Sequence, residues 1–213
     1  MSATTATRSQ AERVQRSDRA LLHAAVSLIA ERGYGGATLA AIGERAGYSR
    51  GLVTQRFGSK DGLLWALVEE MIRSWGSRAL RPAVDDAVGT DAMRRAVEVY
   101  ADAVDRAPAE VRALYALLFE ALGPLPGLRP RFAELHRHMR ADVERWVRAG
   151  QAAGTVRTGI DPARQAALFV GTVRGLTLQW LLEPETVDLR GLLEEYASTL
   201  EPALSAPRGR RSR

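Results

Sequence analysis

Proline and glycine cut this chain into pieces of helix length, and within the pieces apolar residues recur every three or four positions. That pattern constrains the fold more than any other feature. It is clear in Leu21, Leu22, Ala25, Leu28 and Ile29. It returns in Leu63, Leu64, Leu67, Val68, Met71, Ile72 and Trp75, and again in Phe132, Leu135, Met139, Val143 and Trp146. No stretch alternates with period two, so the expected fold is all-α, with about nine helices and no sheet.

Capping residues set the expected boundaries. Ser17 or Asp18 starts a helix that runs to Arg32, where Gly33, Gly35 and Gly36 stop it. Thr38 caps Leu39–Ala46, Ser49 caps a helix to Phe57, and Ser59 precedes a long helix from Lys60 to Leu80. Thr90–Arg106, Pro108–Leu122 and Pro130–Ala153 follow. Asp161-Pro162 opens a helix to Leu182, and Asp188 caps a last one to Leu200.

The distribution of charge points to a polyanion partner. The net charge is +5, and 29 of the 30 basic residues are arginine, Lys60 being the one lysine. Residues 1–60 carry nine basic and four acidic side chains, and the tail adds Arg208, Arg210, Arg211 and Arg213. The body between them is acidic. A basic head on an acidic body suits nucleic acid at the head.

The stretch Thr38–Lys60, TLAAIGERAGYSRGLVTQRFGSK, carries the chemistry. Two short capped helices meet at the tight turn Ala46-Gly47, with Leu39, Ile42, Leu52 and Val53 turned inward. They are too short to bury themselves and need the preceding helix as a third wall. That is a helix-turn-helix, whose second helix enters the major groove. Tyr48, Ser49, Arg50, Thr54, Gln55 and Arg56 form its outer face, with side chains suited to base edges and phosphates. Lys60, at a helix N-terminus, suits a phosphate.

Residues 18–64 resemble the DNA-binding domain of the tetracycline-repressor (TetR) family. The resemblance lies in Leu22-x-x-Ala25, Gly33-Tyr34, Thr38 with Ile42, Ala46-Gly47-x-Ser49-x-Gly51 and Phe57-x-Ser59-Lys60-x-x-Leu63. The chain departs from the family at Thr54, where tyrosine is usual, and at Arg56, where histidine is usual. Carried over by position, the resemblance implies that Thr38, Tyr48, Thr54, Arg56 and Lys60 touch the DNA backbone. Ser49, Arg50 and Gln55 are the candidates for reading bases. Arg13 and Arg16 lie on an expected flexible arm that reaches toward an adjacent minor groove.

The expected organisation is a flexible basic arm (1–16), a helix-turn-helix domain (17–60), a helical ligand-binding and dimerisation domain (61–204) and a basic disordered tail (205–213). The resemblance implies a homodimer on a double-stranded operator and a cavity for a small, largely apolar effector. Candidate effector contacts are Trp75, Tyr100, Tyr115, Phe119, His136, Met139, Trp146 and Arg174. Gly171 and Gly175 lie one turn apart, and with Leu178 they are the candidate dimer contacts, because paired glycines in a helix call for a close neighbour.

Other function classes find no support. Without cysteine there is no disulfide or thiolate site, and the three histidines, His23, His136 and His138, have no metal-ligand spacing. There is no phosphate loop and no nucleophile elbow, so neither an enzyme nor a bound cofactor is expected. The polar Met1–Gln10 lacks a signal-peptide core and no apolar run spans a membrane, so a cytoplasmic location is expected. The rival readings are a ligand-independent DNA-binding protein and an activator.

Overall fold

Local capping explains most of the observed helices. The computed structural model describes residues 3–205. Its α-helices are α1 (Ala3–Gly36), α2 (Leu39–Ala46), α3 (Arg50–Phe57), α4 (Lys60–Arg73), α5 (Arg81–Val84), α6 (Gly89–Arg106), α7 (Pro108–Leu122), α8 (Arg129–Ala152), α9 (Pro162–Leu182) and α10 (Leu189–Leu204). A π-helical segment, Ser74–Leu80, joins α4 to α5, and a 3-10 turn, Pro126–Leu128, precedes α8. With the unbroken run from Lys60 to Val84 counted once, the described residues form nine helices. The extended pairing among them is a single bridge, Val156 to Ser205.

The expected caps form. Thr38 accepts from the Ala41 amide, Ser49 from that of Leu52, Asp161 from those of Ala163 and Arg164, and Asp188 from that of Gly191. Each side chain satisfies an amide that the first helical turn leaves without a carbonyl.

The first helix differs from expectation. It starts at Ala3 and takes in most of the expected flexible arm, and Ser17 lies in its interior. The Ser17 hydroxyl donates to the Val14 carbonyl at 2.8 Å instead of capping. Residues 10–16 are mostly good helix formers with no proline or glycine, so nothing stops the helix from extending backward. The predicted helix end holds: Gly33 leaves helical geometry at φ 68°. The last helix runs four residues beyond Leu200. Apart from Ser205, the expected basic tail lies outside the described residues.

The chain forms two compact units. One holds the residues up to Arg73 together with Ala107–Arg129; the other holds Ser74–Arg106 and the residues from Pro130 onward. The unit around the helix-turn-helix is therefore larger than the expected 17–60, because α4 and α7 also pack into it. Its core includes Leu21, Leu28, Ile29, Ile42, Val53, Leu63, Leu64, Leu67 and Leu117. Full burial of one such side chain stabilises by about 1.5–3 kcal/mol. In the other unit α6 packs against α10, and Met93, Val97, Val147 and Leu193 are buried. No single helix among the described residues is long and apolar enough to cross a membrane.

Candidate functional site

Short-range bonds hold α2 and α3 in a tight turn. The Tyr48 amide donates to the Gly43 carbonyl at 2.8 Å, and the Gly47 amide to that of Glu44 at 3.1 Å. Gly47 takes φ 76°, a conformation open to glycine at little cost. Ile42 and Val53 are buried and fix which face of α3 looks outward. That face exposes Ser49, Arg50, Thr54, Gln55 and Arg56, with Tyr48 half-buried beside them.

These side chains differ in what they have left to offer. The Ser49 hydroxyl accepts from Leu52 N at 3.2 Å, and the Thr54 hydroxyl donates to the Arg50 carbonyl at 3.2 Å. Thr38 is likewise occupied, accepting from Ala41 N at 3.1 Å. Among the described residues, the side chains of Arg50 and Gln55 have no hydrogen-bond or ionic partner. Arg56 is held toward α1: its Nε lies 3.4 Å from Asp18 Oδ1.

Lys60 is anchored by a partner that the sequence does not reveal. Its Nζ donates to the Tyr34 carbonyl at 2.6 Å and sits 3.7 Å above the Tyr34 ring. Burial lowers its pKa from the ordinary lysine value, while Asp61 and Glu120 act the other way. The ammonium has three protons, so a further acceptor can be taken. Arg45 on α2 grips Glu31 on α1 with two bonds of 2.6 and 2.8 Å, which hold the Glu31 carboxyl below the usual range.

The second unit contains an apolar cleft. Four of the eight candidate effector contacts, Trp75, Tyr100, Met139 and Trp146, line it together with Phe169. The Trp75 and Tyr100 rings meet edge-on, centroids 5.4 Å apart. Tyr100 is fixed through its hydroxyl, 2.9 Å from the fully buried Thr177 Oγ1. Thr177 gives its one proton to the Val173 carbonyl at 2.8 Å, so Tyr100 is the donor. A wider depression of about 370 Å³ is bordered by Asp91, Arg94 and Glu201, but it is open to solvent, and Arg94 and Asp91 already pair at 2.6 Å.

The other candidates lie elsewhere. Tyr115 and Phe119 are on α7, in the first unit, and do not belong to the cleft; their rings stand 6.5 Å apart and Phe119 is 51% exposed. The reason is that α7 packs against α1, a pairing with no local signature in the sequence. His136 and Arg174 also lie outside the cleft lining but flank Met139. Arg174 Nη2 is 3.4 Å from the Met139 sulfur, and His136 stands about one helical turn before Met139. Burial, reinforced by Arg174 and Arg140, lowers the His136 pKa to about 4, and its buried Nε2 has no hydrogen-bond partner.

Gly171, Gly175 and Leu178 share one face of α9 with Leu168 and Leu182. The two leucines at the ends are 65% and 73% exposed, and nothing lies within 4 Å of where a Cβ would stand on either glycine. Among the described residues, no cluster of three or more His, Asp or Glu side chains could hold a metal ion.

Comparison with known proteins agrees with this geometry. Residues 21–67 match the family described as bacterial regulatory proteins, tetR family, and residues 89–202 match the BetI-type transcriptional repressor, C-terminal. The chain is 32% identical over 178 residues to the HTH-type transcriptional regulatory protein RaaS of Mycobacterium tuberculosis, covering 82% of this chain and 76% of that one. It is 27% identical over 206 residues to the HTH-type transcriptional regulator TtgR of Pseudomonas putida, covering 91% and 96%. A TetR transcriptional regulator from Chloroflexus aurantiacus superposes with a TM-score of 0.79 at 19% identity, covering 92% of this chain and 99% of that one. SmeT, the repressor of the Stenotrophomonas maltophilia multidrug efflux pump SmeDEF, gives 0.72 at 24% identity, covering 90% and 91%.

Proposed function

Because the chain belongs to the TetR family of DNA-binding transcriptional regulators, which are not enzymes, we propose that it is a repressor that binds a palindromic operator as a homodimer and leaves it when a small, largely apolar effector binds. One observation carries the DNA part. The outer face of α3 presents Arg50 and Gln55 without intramolecular partners. Such groups suit guanine and adenine respectively, each worth roughly 1–3 kcal/mol of discrimination. Ser49 joins them as a base reader. Thr38, Tyr48, Arg56 and Lys60 hold the phosphates and fix the register, and Thr54 joins them by turning its proton from the Arg50 carbonyl to a phosphate.

The α9 face supports dimerisation. Leu168, Gly171, Gly175, Leu178 and Leu182 repeat with heptad spacing, an apolar seam suited to a second copy of the same helix. Two recognition helices then meet half-sites about 34–36 Å apart. The effector acts in the cleft behind Trp75. Its preferred conformation changes the spacing of the two helices, and a typical coupling of about 1–3 kcal/mol weakens operator binding roughly 5–150-fold.

Repression, as against activation, is supported by the BetI-type repressor match and by the likeness to SmeT, itself a repressor. A cytoplasmic location belongs to the same reading, because the operator DNA is there. The test is selection from a random duplex library at about 150 mM salt, followed by sedimentation of the selected complex. An inverted repeat bound by two chains is expected. Enrichment of no sequence, or one chain on a single half-site, contradicts the proposal.

A further inference from the structure

The cleft is too small for an effector as it stands. Its open volume is about 40 Å³, room for a few waters at most, whereas small-molecule sites are usually about 300–1,000 Å³. A ligand can enter only if one wall moves.

Three walls are fastened. α8 meets α6 backbone to backbone, since a Cβ on Gly150 would stand 2.6 Å from the Gly89 Cα. α9 is tied to α6 by the Tyr100–Thr177 hydrogen bond. Trp146 on α8 and Phe169 on α9 are each only 6% exposed. The fourth wall is different. Trp75 is half-buried and stands in the π-helical segment, followed by Gly76, which has open space where a Cβ would be. π segments are rare and frequently mark functional sites.

We propose that the Trp75 indole occupies the effector's own place, and that the effector is a neutral, flat aromatic molecule of one or two fused rings that displaces it. This rests on the reading that the cleft receives the effector. The cleft that the indole borders is lined by the rings of Tyr100, Trp146 and Phe169, and Tyr100 already accepts a ring edge-on. Edge-to-face packing favours another aromatic in the same slot. Charged ligands are disfavoured. The one carboxylate in the lining, Asp142, pairs with Arg145 at 2.6 Å, and the Tyr100 proton is already donated. The lining itself holds no basic side chain, so an anion would have to draw Arg174 past Met139, and an ion left without such a partner would lose its hydration uncompensated.

The probe is 5-fluoroindole, titrated by fluorine NMR into the full-length wild type, Trp75→Ala and Trp75→Phe, with urea unfolding to establish that each variant is folded. Trp75→Ala binds it at least tenfold more tightly than the wild type, which must first expel its own side chain, and Trp75→Phe falls between. 1-Octanol and decanoate compete poorly. Equal affinity in the wild type and Trp75→Ala overturns the proposal, as does displacement of 5-fluoroindole by 1-octanol mole for mole. Operator binding, followed by fluorescence anisotropy, separates the two readings. If 5-fluoroindole shows the predicted order of affinities yet no cleft-bound compound weakens operator binding, the aromatic site stands and the effector reading fails. If a fatty acid releases the operator through this cleft, the effector reading stands and the aromatic class is overturned.

Discussion

Arg56 Nε on α3 lies 3.4 Å from Asp18 Oδ1 on α1, and that oxygen is buried without a hydrogen bond. A DNA phosphate reaching Arg56 must compete with this carboxylate. Asp18→Asn therefore raises operator affinity several-fold. Arg56→Gln lowers it about equally for all sequences and makes the slope of log K against log salt shallower by about 0.9, the loss of one phosphate contact. Anisotropy titrations between 50 and 200 mM salt give both quantities; unchanged slopes in both variants would remove Arg56 from the phosphate grip.

Gly43 is pressed against the turn that follows α2. A Cβ there would stand 2.8 Å from the Tyr48 carbonyl oxygen and 3.1 Å from the Ser49 carbonyl carbon. The obstacle is backbone and cannot swing aside. Gly43→Ala costs about 1–3 kcal/mol by overpacking, read from the urea midpoint, and displaces α3 enough to weaken DNA binding.

His136 gives stability a pH dependence. Its folded pKa is lowered to about 4 from 6.5 by burial, with Arg174 and Arg140 adding to the effect. The unfolded chain binds the proton more readily, so stability rises with pH across that window. The contribution is fully present above about 6.5 and is lost as pH falls toward 4. His136→Gln flattens the urea midpoint between these values, and an unchanged slope would contradict the assignment.

Tyr100→Phe removes the donor to Thr177 and leaves that buried hydroxyl oxygen with its donated bond to Val173. A loss of about 0.5–1.5 kcal/mol is expected on urea unfolding. On α9, Leu182→Glu places a charge in the proposed seam between copies. Sedimentation then shows a monomer, and operator affinity falls with it; a dimer that persists would move the interface elsewhere.

What the sequence revealed was mostly local. Thr38, Ser49, Asp161 and Asp188 each bond an amide two or three residues on, so their role is written in the adjacent residues. The outer face of α3 was legible for the same reason, once Ile42 and Val53 were seen to be core. Lys60 on Tyr34 and Arg56 beside Asp18 join residues far apart in the chain, and no local pattern encodes them. Tyr115 and Phe119 looked like cavity residues because composition does not say which unit α7 joins. Ser17 misled for an opposite reason: a capping residue type stood where a helix had already begun.

The most direct measurement is operator selection carried out in parallel with the wild type and Gln55→Ala. An inverted repeat is expected for the wild type, and for the variant the same repeat with preference lost at one base pair in each half-site. If the two enriched sequences are identical, Gln55 does not read the operator and the proposed face of α3 is not the recognition surface.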